Sequence, residues 1–169
     1  VTVDPYRLPA DIAILCSGPS LTTTWEKADT DKYRLVLAIN EAGKLPHDMF
    51  CCQDLVALTM FTPEPRIGYM GAFTLWKQRQ PTVIWPSLHM PHHRYTLPQT
   101  IAGATLFKAQ AIDIYGADWK GEHSFLGTYG PKRTSSYWDR LRGDVTKVVE
   151  KFRLEGRVRR IMPMGQVFC

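Results

Sequence analysis

The chain has 169 residues, 44% hydrophobic and 22% charged, which suits one globular domain spanning 1–169 and excludes a disordered chain. No apolar run reaches the length of a membrane span, and Val1–Pro9 lacks a signal-peptide pattern. The net charge of +5 is uneven: residues 120–169 hold 11 of the 21 Lys and Arg but only 5 of the 16 Asp and Glu. That excess suits a polyanion, the phosphates of a small ligand, or a solvated helix face.

In chain order, Asp11–Cys16 reads as a first strand, followed by the turn Ser17-Gly18-Pro19-Ser20 and a short helix over Leu21–Ala28, with Ser20 or Thr22 as its cap. Tyr33–Ile39 and His47–Cys52 read as strands. Asp54–Phe61 reads as a helix stopped by Pro63 and Pro65, and Ala72–Gln80 as another. Thr82–Trp85 is a short strand. The proline- and histidine-rich stretch 86–98 reads as a loop, Pro98–Lys108 as a helix and Ala111–Tyr115 as a strand. Lys120–Ser136 reads as a long loop. Tyr137–Leu154 is the clearest helix, because Trp138, Leu141, Val145, Val148, Val149 and Phe152 share one face at 3.6-residue spacing. Val158–Met162 reads as the last strand. The alternation predicts an α/β, Rossmann-like, doubly wound and mostly parallel sheet with helices on both faces. Cys16, Cys51 and Cys52 close apolar runs, and Cys169 ends the chain; no CxxC spacing occurs, which reads as reduced thiols in a cytoplasmic protein.

In such a sheet a ligand lies beyond the carboxyl ends of the strands. The residues there are Ser17, Gly18, Pro19 and Ser20, then Asn40, then Gln53 and Asp54, then Gly116, Ala117 and Asp118. Each is also an ordinary turn or cap; as a set they describe a nucleotide site. Gly18 would admit a phosphate to the backbone, Ser20 would add a hydroxyl, Asn40 would meet a base edge or ribose, and Asp54 would accept from ribose hydroxyls. His123, five residues past Asp118, is a candidate general base or an ordinary surface histidine. Tyr129 and Tyr137 are candidate donors to a leaving phosphate, or packing residues. The cluster His89, His92 and His93 has no Cys or carboxylate nearby to complete a metal site, and Asp29-Thr30-Asp31 lies at the wrong end of the sheet. A metal is therefore not expected.

The block Ile14-Leu15-Cys16-Ser17-Gly18-Pro19-Ser20-Leu21 resembles the opening of bacterial CMP-sialic-acid-dependent sialyltransferases and of the related motility-accessory-factor proteins that modify flagellin. Ala38-Ile39-Asn40, the pair Gln53-Asp54, the run Thr100-Ile101-Ala102-Gly103 and the block Ile112–Trp119 resemble later family positions in the same order. The resemblance implies a metal-independent glycosyltransferase that takes a nucleotide sugar as co-substrate and holds no tightly bound cofactor. It implies a histidine base, with tyrosines helping the phosphate leave. The chain departs from the family at Ser17, where Asn is usual, and in a much shorter segment after Asp118. Joined to the charge asymmetry, this raises a polyanionic acceptor, such as the hydroxymethylated DNA of some viral genomes. Its phosphates would meet Lys132, Arg133, Arg140, Lys147, Lys151, Arg157, Arg159 and Arg160. The competing readings are a metal-dependent pyrophosphokinase or hydrolase, with Asp54 and Asp118 as metal ligands, and a nucleotide-binding module without catalysis.

Overall fold

The computed structural model describes residues 10–53, 57, 60, 68–71, 83–84, 95–121 and 132–169. Its strands are β1 (Ile12–Leu15), β2 (Leu35–Ile39), β3 (Met49–Cys52), β4 (Gly68–Gly71), β5 (Val83–Ile84), β6 (Ile112–Tyr115), β7 (Val158–Met162) and β8 (Gly165–Phe168). The α-helices are α1 (Leu21–Trp25), α2 (Thr96–Leu106) and α3 (Ser135–Lys151). The strands form one sheet in the order β5-β4-β3-β2-β1-β6-β7-β8. Every neighbouring pair is parallel except β7 with β8. The chain therefore runs outward from β1 to β5 and returns through α2 to β6, on the other side of β1. That reversal is the topological switch point of a Rossmann-like α/β fold, where ligand crevices lie beyond the carboxyl ends of the strands.

Side chains alternate across the sheet, as strand geometry requires. Ile12, Ile14, Leu35, Leu37, Ile112, Ile114 and Val158 face α2 and α3 in the larger core. Ala13, Leu15, Ala38 and Tyr115 face the other way, against Leu21 of α1 and Ala42 of the 3-10 turn Asn40–Lys44. Helix α3 begins at Ser135, earlier than its apolar stripe predicts, because the Thr134 side chain accepts the Tyr137 N–H and caps it. Its Trp138, Leu141, Val145, Val148 and Val149 are buried. At about 1.5–3 kcal/mol for each fully buried large apolar side chain, that face outweighs the weak intrinsic preference of its β-branched residues for helix. Helix α2 packs closely because Thr100, Ala102, Gly103 and Ala104 are small, and it starts at Thr96 rather than Pro98.

Two strands escape the sequence reading. Gly68-Tyr69-Met70-Gly71 carries a glycine at each end, and β8 follows β7 through the two-residue turn Pro163-Met164. So Val158–Met162 is not the last strand. The helices predicted over 54–61 and 72–80, and the histidine cluster, lie almost wholly outside the described residues.

On the α1 face a carboxylate is buried in the sheet. Asp113 Oδ1 accepts from Arg159 Nε at 2.8 Å, and its Oδ2 accepts from the Tyr33 hydroxyl at 2.6 Å. The Tyr33 hydroxyl lies 2.7 Å from that of Tyr115, and Lys32 reaches Oδ2 at 3.4 Å. Burial, then the contacts with Asp113 and Tyr115, pushes the Tyr33 phenol far up; burial also raises Tyr115.

Candidate functional site

The exits of β1 and β6 are laced together. Cys16 N–H donates to Tyr115 O at 2.8 Å and Gly18 N–H to Gly116 O at 2.9 Å. Ser20 N–H donates to Asp118 Oδ2 at 2.9 Å. The approach is so close that a Cβ on Gly18 would lie 2.1 Å from Gly116 O and 2.5 Å from Asp118 Oδ2. A Cβ on Gly116 would lie 2.4 Å from Cys16 O, and Gly116 sits at φ +69°, where side chains are strained. The two glycines are thus demanded by loop-to-loop contact. The N–H groups of Gly18 and Ser20, expected to meet a phosphate, are spent within the protein, and the Asp118 carboxylate takes the anion's place at the start of α1. Nor does Ser20 cap that helix: no side-chain cap bond forms there, and Ser20 Oγ is buried without a partner among the described residues. Pro19 is exposed and faces Gly121.

Beyond these exits lies a cleft of about 310 Å³. Its floor is Ser17, Gly18, Asn40, Gln53, Gly116 and Ala117, so four strand ends converge on it. Asn40 leaves β2 in the left-handed region (φ 49°), which Asn tolerates better than most residues, and its Oδ1 is buried without a partner among the described residues. Ser17 Oγ donates to Ile39 O at 3.3 Å. The opposite wall comes from Tyr95 and Thr96 at the start of α2 and from Tyr137, Trp138 and Leu141 of α3. The Tyr95 and Tyr137 rings meet edge to face at 5.0 Å. Arg133 lies over Tyr137 and Trp138, with its guanidinium carbon 5.7 Å and 5.2 Å from their ring centroids. Burial raises the Tyr137 phenol against the opposing pull of Arg133, so its hydroxyl remains a donor at neutral pH. Lys132 completes a cationic rim.

The structure thus brings Ser17, Gly18, Asn40, Gln53, Gly116, Ala117 and Tyr137 to one cleft. Thr100 is not among its lining residues: it is fully buried one turn into α2, where its hydroxyl donates to Thr96 O at 2.9 Å, and Thr96 lines the cleft instead. His123, Tyr129 and Asp54 lie outside the described residues. Among the described residues no three His, Cys, Asp or Glu side chains converge as a metal site would require.

The basic residues divide. Lys132 and Arg133 reach the cleft, while Arg140, Lys147 and Lys151 lie on exposed parts of α3. Arg159 is buried against Asp113 on the opposite face of the sheet, so it meets no surface phosphate. Arg157 donates to the backbone oxygens of Ala109 and Gln110. Arg160 donates to Ala117 O at 2.9 Å and lies 4.8 Å from the centroid of the Trp119 ring. Those three guanidiniums brace the sheet and the β6 exit.

Sequence reasoning missed Tyr95, Thr96 and Trp119 as cleft residues. Trp119 sits at φ 54°, a conformation that costs a bulky residue about 1–3 kcal/mol and that gathers at functional sites. Its position directly after Gly-Ala-Asp at a strand end was the available signal. Comparison of the chain with family models, with curated proteins and with solved structures finds no match.

Proposed function

We propose that the protein is a glycosyltransferase that moves a sugar from a nucleotide-activated donor to a hydroxyl acceptor, without a metal ion. The observation that carries this reading is the cleft at the switch point. It combines ring walls, the amides of Asn40 and Gln53, two cations and a protonated tyrosine. Flat walls suit a heterocyclic base, and the amides suit its edge or the ribose. Because the Gly18–Ser20 turn is satisfied by Gly116 and Asp118, the donor's phosphates are assigned to Lys132 and Arg133 on the far wall.

In the reaction the acceptor oxygen bonds to the anomeric carbon as the bond from that carbon to the phosphate oxygen breaks. Negative charge grows on the leaving phosphate, where Lys132, Arg133 and the Tyr137 hydroxyl oppose it. A base must take the acceptor's proton, and His123 remains the residue we assign to it.

The test is a thermal-shift panel of cytidine, uridine, guanosine and adenosine nucleotides and their sugar conjugates, with and without Mg²⁺, followed by an assay of nucleotide release from the stabilising conjugate. Stabilisation by a nucleotide sugar without metal, followed by sugar transfer, supports the proposal. Stabilisation that requires Mg²⁺ favours the pyrophosphokinase or hydrolase. No shift with any nucleotide removes the reading.

A further inference from the structure

A second cleft of about 430 Å³ opens between the exit of β6 and the start of α3. It shares Trp119, Lys132, Arg133 and Trp138 with the inner cleft, so the two adjoin. Its own contribution is basic: Lys120 and Arg142 join Lys132 and Arg133, and among the described lining residues Asp139 is the one carboxylate. Asp139 is exposed and meets Arg142 at 3.4 Å, a pair that water screens. Among the described residues, Lys120 and Arg133 meet no carboxylate.

The placement of these cations favours an anion. A helix start is the positive end of its dipole and normally carries acids. The first turn of α3 has none, and Lys132 and Arg133 directly precede it. Folding thus gathers like charge at the mouth of a cavity, which draws anions toward it. The rim is also held in shape. Trp138 Nε1 donates to Gly121 O at 3.0 Å, and Arg160 lies over the Trp119 ring. Trp119 therefore stands at the junction of the two clefts, braced and in a strained backbone conformation. Cations around a ring are what a single strand of nucleic acid needs: charge for the backbone and a π-face for a base.

We propose that the outer cleft is the acceptor site, and that the acceptor is a nucleic acid strand whose phosphodiesters meet Lys120 and Arg142 while a base rests on Trp119. This rests on the donor reading of the inner cleft. The strand would enter along the outer cleft and present its hydroxyl at the junction, where the sugar is transferred.

The experiment is fluorescence anisotropy of a labelled single-stranded oligonucleotide with the full chain over a range of salt. The comparison is among wild type, the double variant Lys120→Ala/Arg142→Ala, and Arg153→Ala, an exposed cation past the far end of α3 whose loss removes one charge rather than two. The double variant is expected to bind at least tenfold more weakly. Its slope of log affinity against log salt should fall by about 1.4, the value for two lost phosphate contacts on a single strand. Arg153→Ala is expected to match wild type, and the melting temperature of each variant reports its folding. Equal affinity and slope for the double variant and Arg153→Ala overturn the proposal. So does displacement of the strand by inorganic phosphate or heparin at matched charge, which marks a general anion site, or tighter binding of a duplex. Strand binding without any nucleotide-induced stabilisation counts against the inner-cleft reading alone; nucleotide stabilisation without strand binding counts against this one.

Discussion

Replacing Gly18 with alanine separates two reasons for a glycine at that position. If Gly18 serves only to admit a phosphate, the change weakens ligand binding and leaves the free protein as stable as before. The structure gives the other reason. The new Cβ would sit 2.1 Å from Gly116 O and 2.9 Å from Gly116 C, and both are backbone atoms that cannot rotate aside. The β1 exit must then move from the β6 exit. Overpacking of this kind costs about 1–3 kcal/mol. Separation also weakens the Gly18–Gly116 bond (2.9 Å) and the Ser20–Asp118 bond (2.9 Å). Those are worth about 0.5–1.5 kcal/mol for the neutral pair and about 1.5–3 for the bond to a charged group. With partial loss of both, the variant should be less stable by about 3–5 kcal/mol, a large share of a typical domain's stability. For a domain of this size that is a fall in melting temperature of roughly 6–20 °C. Differential scanning calorimetry without ligand reads it directly. A melting temperature unchanged within a degree or so, with nucleotide stabilisation lost, would refute the argument and return the turn to a phosphate cradle.

Arg159→Ala leaves Asp113 buried and short of its closest cation, and should cost about 3–5 kcal/mol. Lys32→Ala, which removes a 3.4 Å pair whose lysine is 40% exposed, should cost under about 1 kcal/mol; equal losses in urea unfolding would show that Arg159 does not hold that carboxylate. The raised phenols of Tyr33 and Tyr115 set an alkaline limit. Their protonated form is kept in the folded state, so their contribution is whole below about pH 10 and is lost as pH rises above it, by up to about 1.4 kcal/mol per pH unit for each group. Tyr33→Phe removes one such group, so its melting temperature should fall less steeply above that pH than wild type; identical slopes would contradict the buried network. Arg133→Ala removes a cation assigned to the donor phosphates and should weaken nucleotide affinity by about 1.5–3 kcal/mol, roughly 10- to 150-fold, measured by titration calorimetry. Affinity unchanged in that variant would move the phosphates elsewhere in the cleft.

The sequence by itself determined the strands and helices whose burial pattern is periodic, and through them the class of fold. β1, β2 and β3 are apolar runs, β6 is apolar apart from Asp113, and α3 has one clear stripe, so burial largely selects their conformation. The position of the cleft followed from that class, because strand ends at a switch point are where a doubly wound sheet leaves room. What it misjudged are features made by partners far apart along the chain. Arg159 reads as a surface cation until the register of β7 against β6 sets it beside Asp113. Pro98 reads as the helix start until the true start at Thr96 leaves Thr100 one turn in, within the core. β4 and β8 carry no strong pattern and exist because a neighbouring strand offers them hydrogen bonds.

The Ser17–Ser20 turn shows the division most sharply. Its residue types announce a tight turn after a strand. Which group its N–H donors meet was decided 98 residues away, by Asp118. A hydrogen bond is satisfied by the nearest acceptor in space, and only the packed sheet determines which acceptor that is.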